Sequence, residues 1–172
     1  MKYAIAAIAA WLLAVAGVAA LPYFKIAGVT PDLVLVFAAC WAVVRGQDEA
    51  LAVVPLAGLI RDLVTSDPVG TSVLGLAPVV VLALAVRLRT VDSQFVDAAV
   101  VVAAGSLAYA VISALVLAST GQRIELGDVA LRSAIPLAVV NALFTPVAYL
   151  PLRWLTPQQR LGLGAGRLGS QV

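Results

Sequence analysis

Three short motifs set charged side chains among prolines and glycines at the ends of apolar runs: Pro31-Asp32-Leu33, Gly58-Leu59-Ile60-Arg61-Asp62 and Asp67-Pro68-Val69-Gly70. Carboxylates beside a guanidinium can pair, or can hold a ligand of either sign, and the prolines and glycines among them can turn the chain sharply. What the chain lacks removes most other chemistry. Histidine does not occur, which removes Ser/His dyads, His-ligated zinc and haem. The single cysteine, Cys40, lies inside an apolar run, so it forms no disulfide within the chain and reads as a buried, inert thiol. Neither a metal site nor a cofactor is expected.

The elements that must position these motifs follow from composition. Of the 172 residues 63% are hydrophobic and 12% charged, and the mean hydropathy is +1.07, whereas about a quarter of a soluble domain is charged. The chain therefore reads as an all-α integral membrane protein, a single domain over 1–157 followed by a glycine-rich, flexible cytoplasmic tail over 158–172. Basic residues are scattered rather than clustered, which argues against nucleic acid as a partner. The apolar runs are continuous rather than alternating, which excludes a spanning barrel.

Six transmembrane helices are predicted. The first runs from Tyr3 to about Leu21; its Lys2 start and Val18-Ala19-Ala20 end also fit a signal peptide, but no soluble domain follows, so an uncleaved helix is expected. The second starts at Pro31, with Thr30 as N-cap and proline in the first helical position, and ends at Arg45-Gly46. The third covers about Glu49 to Val64. Both are short, since about 15 residues reach only about 22 Å of a bilayer about 30 Å thick, and a partly re-entrant hairpin is the alternative. Helices follow at about Gly70 to Val86 (with Pro78 inside), Phe95 to Ala118 and Asp128 to Trp154, the last with kinks expected at Pro136, Pro146 and Pro151.

With the N-terminus inside, Lys2, Arg45, Arg87, Arg89, Arg153, Arg160 and Arg167 fall on the cytoplasmic side, against Lys25, Arg61, Arg123 and Arg132 on or near the other. The positive-inside rule then puts both termini in the cytoplasm. Helix two begins and helix three ends on the extracytoplasmic side, so Asp32, Arg61, Asp62 and Asp67 are expected around one mouth, with Lys25 nearby. A charge at membrane depth costs about 2.5 to 3.5 kcal/mol unless it is paired or reaches water. Arg61 is thus expected to have a carboxylate partner, Asp32 or Asp67 rather than its neighbour Asp62, because adjacent helical side chains diverge. Gly58, one turn before Asp62, would admit a close backbone approach. The bland alternatives are that the charges only anchor short helices by snorkelling and that Asp-Pro-x-Gly is an ordinary turn.

Two further polar positions bear on the bundle. Asn141, mid-span in helix six, reads as packing amide more than ligand contact. Ser106, Tyr109 and Ser113 form a polar stripe on helix five that either faces a pocket or packs against a helix. Catalysis has little support: Asp32, Asp62, Asp92, Asp97 and Asp128 sit at predicted helix ends rather than facing each other mid-membrane, as an aspartyl protease needs. No glycine-rich loop leads into a Lys-Ser/Thr pair for nucleotide hydrolysis.

The order Pro31-Asp32-Leu33, Arg45-Gly46, Gly58-Leu59-Ile60-Arg61-Asp62 and Asp67-Pro68-Val69-Gly70 resembles the MreD family, the membrane subunit of the bacterial rod-shape system. The family pattern is a Pro-Asp-Leu helix start, a Gly-rich third helix ending in Gly-Leu-x-x-Asp, and a Pro-Leu-Gly turn. Val54, Pro55 and Val69 depart from it. The resemblance implies a non-enzymatic scaffold in the bacterial cytoplasmic membrane that partners MreC and, with MreB, RodA and an elongation transpeptidase, organises side-wall peptidoglycan synthesis. The family is also similar in architecture to substrate-binding subunits of energy-coupling-factor vitamin transporters, so a small-molecule transporter subunit is the alternative. Pro31, Asp32, Gly58, Arg61, Asp62, Asp67, Pro68 and Gly70 are the candidate partner- or ligand-binding set. If that mouth is functional, Asp62→Ala is expected to leave the protein folded while weakening association.

Overall fold

Ten consecutive residues from Val34 to Val43 are buried, and a helix apolar on every face belongs at the centre of a structure. The computed structural model describes residues 2–23, 25–26, 28–65, 68–87, 93–119 and 134–156. They form six α-helices: α1 (Lys2–Ala19), α2 (Leu33–Arg45), α3 (Gln47–Val64), α4 (Thr71–Arg87), α5 (Gln94–Ser119) and α6 (Ile135–Trp154). No strand accompanies them among the described residues. The helix containing Val34 to Val43, α2, packs on all five others. Chain neighbours α3 to α6 pack in sequence around it, and α1 lies against α2 and α3. The face of α1 turned inward is Ala6, Ala10 and Ala14, small residues at a spacing of four that let it lie close.

The all-α expectation holds, and α1, α5 and α6 are each long and apolar enough to cross a membrane. Two boundaries differ from expectation for physical reasons. The N-cap of α2 is Asp32 rather than Thr30, and Pro31 precedes the helix instead of opening it. A carboxylate caps better than a threonine hydroxyl, and Asp32 Oδ1 accepts from Leu35 N at 3.1 Å. The third helix is longer than expected, with 18 residues from Gln47. Gly46, at φ 107°, reverses the chain in one residue, a left-handed conformation that L side chains avoid. Pro136 falls in the first turn of α6, where its missing N–H is no loss, while Pro146 and Pro151 do lie inside.

One end of the bundle gathers basic side chains. Lys2 Nζ donates to Glu49 Oε1 at 2.9 Å, and Arg45 pairs with Glu49 at 3.3 Å while its guanidinium stacks over Trp41. Arg87 Nη2 donates to Val43 O at 2.9 Å, satisfying a carbonyl in the last turn of α2. Phe95 meets Tyr149 edge-on at 5.4 Å, which brings the end of α6, and with it Arg153, to the same level. Arg89, Asp92, Arg123, Asp128, Arg132, Arg160 and Arg167 lie outside the described residues, as do 128–133 of the expected sixth helix and the tail from 158.

At the other end α3 and α4 come into backbone contact. A Cβ placed on Gly58 would lie 2.8 Å from Val73 Cα and 2.9 Å from Val73 N, closer than carbon atoms approach, so only glycine allows this crossing. Gly58→Ala is therefore expected to force the helices apart and lower stability by about 1 to 3 kcal/mol. Gly17→Ala, where nothing stands within 4 Å, should be near neutral. Thermal unfolding of the detergent-solubilised variants measures both.

Candidate functional site

Because α2 has only 13 residues, about 20 Å of rise, its polar N-terminus lies inside the bundle, level with Asn141 of α6. Buried helix ends need partners, and three helices supply them. Asp32 N donates to Asn141 Oδ1 at 2.8 Å, and Asn141 Nδ2 donates to Ser106 Oγ of α5 at 2.9 Å. The Ser106 hydroxyl donates in turn to Val102 O at 2.7 Å. Asp32 Oδ2 accepts from Arg61 Nη1 of α3, an ion pair whose side chains are 9% and 19% exposed respectively. Of the two carboxylates expected as partner for Arg61, Asp32 is the one it meets. Its guanidinium also stacks on the Tyr109 ring, 4.6 Å from the centroid.

Asp62 faces another way. It is 2% exposed, and its carboxylate accepts from Gly70 N at 2.6 Å and Ser72 N at 2.9 Å. Two backbone N–H groups at the start of α4, with the helix dipole behind them, compensate the buried charge. The turn that makes this possible uses the rest of the third motif. Gly70 has φ 100°, and Thr71 Oγ1 donates to Pro68 O at 2.7 Å. Ser72 Oγ lies 3.3 Å from Tyr109 Oη, so Tyr109 joins the Asp62 group to the Asp32 group.

The candidate residues therefore split. Pro31, Asp32 and Arg61 line a cleft of about 280 Å³ together with Leu13, Gly17, Thr65 and Tyr109. Gly58, Asp62, Pro68 and Gly70 lie outside its wall and build the α3–α4 junction beside it. Asp67 lies outside the described residues. Asn141 acts as packing amide, bridging Ser106 of α5 and the backbone of Asp32, 109 residues away. In the polar stripe of α5, Ser106 serves a helix contact and Tyr109 the cleft. Ser72 and Thr65 have no signature in the sequence, because one hydroxyl residue in an apolar run carries no signal of its own.

The cleft presents both signs of charge side by side and apolar walls from α1 and α6, which suits a polar or zwitterionic group better than a lone ion. Among the described residues no three His, Cys, Asp or Glu side chains converge as a metal site. No protein-family model, curated protein or solved structure matches the chain.

The geometry changes what Asp62→Ala should do. Removing the carboxylate leaves two backbone donors without acceptors, an expected loss of about 1 to 3 kcal/mol in folding stability. Asp62→Asn, which keeps one acceptor oxygen, should recover part of it. Equal stability of Asp62→Ala and wild type in thermal unfolding would contradict the capping role.

Proposed function

We propose that this chain is a non-enzymatic membrane scaffold of the MreD type, multi-pass in a bacterial cytoplasmic membrane. In this reading it binds MreC and, with RodA, an elongation transpeptidase and, indirectly, MreB, helps to organise side-wall peptidoglycan synthesis and rod shape. All six helices are taken as spans, with both termini in the cytoplasm, in an arrangement similar to the substrate-binding subunits of energy-coupling-factor transporters.

One observation carries the reading. Three of the four segments that carry the family resemblance meet away from the basic end of the bundle: Asp32 pairs with Arg61, Gly58 seats the first turn of α4, and Asp62 caps that turn. The Asp32 motif, 29 residues before Arg61, joins in space the helix end and turn formed by the other two, and a device that shapes a rigid end suits docking more than turnover. Lys2, Arg45, Arg87 and Arg153 at the opposite end agree with a cytoplasmic placement of that end. The partner's transmembrane helix and the segment beside it are taken to meet small-residue membrane-facing surfaces and the rim of the mouth.

The cleft beside Asp32 and Arg61 favours the second reading, a substrate-binding subunit of a small-molecule transporter. Its volume of about 280 Å³ lies at the lower edge of ligand pockets. Affinity purification from membranes separates the two. Recovery with a single-span coiled-coil protein is the expected outcome; recovery with a pair of ATPases and a bound vitamin-sized molecule would overturn the scaffold.

A further inference from the structure

Tyr109 of α5 belongs both to the cleft and to the α3–α4 junction beside it, and it is 7% exposed. One face of its ring carries the Arg61 guanidinium of α3, 4.6 Å from the centroid. Its hydroxyl lies 3.3 Å from Ser72 Oγ, and the backbone N–H of that same serine donates to Asp62 Oδ1 at 2.9 Å. An edge of the ring meets α4 three residues further on. A Cβ placed on Gly75 would lie 2.6 Å from Tyr109 Cδ2 and 2.7 Å from Cε2, so the ring fills the space that glycine leaves. Close-packed contacts of this kind transmit a displacement rather than absorb it.

We propose that Tyr109 couples the Asp32–Arg61 pair to the first turn of α4, so that opening of the pair in the cleft loosens the Asp62 cap. Such coupling serves a scaffold and a transporter subunit alike, because it lies inside the bundle and does not depend on what engages the cleft. With the pair closed, Arg61 is held over the ring and the ring against Gly75. When Asp32 no longer holds the guanidinium, the ring loses the cation on its face and shifts between α3 and α4. Its hydroxyl then leaves Ser72, whose N–H is one of the two donors to Asp62.

The backbone of α3 is the rival route, because Arg61 and Asp62 are adjacent in it. Arg61 O accepts from Thr65 N at 2.9 Å, and a hydrogen-bonded turn keeps its backbone in place when one side chain is released. The ring, in contact with both α3 and α4, is the more direct path. The two routes differ in one testable respect: only the first needs the Tyr109 hydroxyl.

Amide hydrogen exchange followed by NMR on the full chain in detergent micelles tests this. It is read at Gly70 and Ser72, the donors to Asp62, with the buried Val101 of α5 as internal reference. Asp32→Asn, which weakens the pair, should speed exchange at Gly70 and Ser72 about tenfold and leave Val101 unchanged. Arg61→Lys replaces it if Asp32→Asn fails to fold. In a Tyr109→Phe background, which lacks the hydroxyl and keeps the ring, the same substitution should change the two amides by less than about twofold. Unchanged exchange at Gly70 and Ser72 in Asp32→Asn would overturn the coupling. A tenfold increase that persists in the Tyr109→Phe background would also overturn it and assign the path to the α3 backbone. Equal acceleration of all three amides would overturn it as well, since that is loosening of the whole bundle.

Discussion

The pairing of Asp32 with Arg61 is the constraint on which the rest of the bundle depends. A helix as short and as apolar as α2 can occupy the centre only if its polar head is satisfied within the protein. That head projects a carboxylate and a backbone N–H into a region walled by α1, α3, α5 and α6. Arg61 compensates the charge, Asn141 takes the N–H, and the guanidinium sits over the Tyr109 ring. Once this group is in place the apolar length of α2 can be buried on every side. A single acid thereby ties α2 to α3 and α6, and through Tyr109 to α5.

The neighbouring junction solves a related problem with different groups. Arg61 and Asp62 are adjacent in sequence, yet their side chains point to different helices, as a helical backbone demands. One closes the centre of the bundle and the other closes the turn into α4. Gly58, on the Asp62 face, removes the side chain that would hold α4 at a distance, so the start of α4 comes near enough for its N–H groups to reach the carboxylate. Glycine, acid and turn are therefore one arrangement, and none of them works without the others.

Much of this was legible in the residues. The order of the helices among the described residues followed from apolar runs and their interruptions. That Arg61 has a carboxylate partner followed from the cost of a charge at depth, which left Asp32 and Asp67 open, and the role of Gly58 from the need for close approach. Other parts depended on contacts between distant segments. Whether Asp62 faced the mouth or capped α4 turned on how closely two helices cross, which no local pattern encodes. The N-cap of α2 moved from Thr30 to Asp32 because groups on α3 and α6 reward the acid there.

A double-mutant cycle on Asp32→Ala and Arg61→Ala, read by thermal unfolding in detergent, tests the central claim most directly. If the pair organises the head of α2, each single variant is strongly destabilised, because it leaves a buried charge without its partner. The double variant should then lose less than the sum, with a coupling of about 1 to 3 kcal/mol. Additive losses, agreeing within about 0.5 kcal/mol, would mean that the two side chains act independently and that the bundle is held by something else.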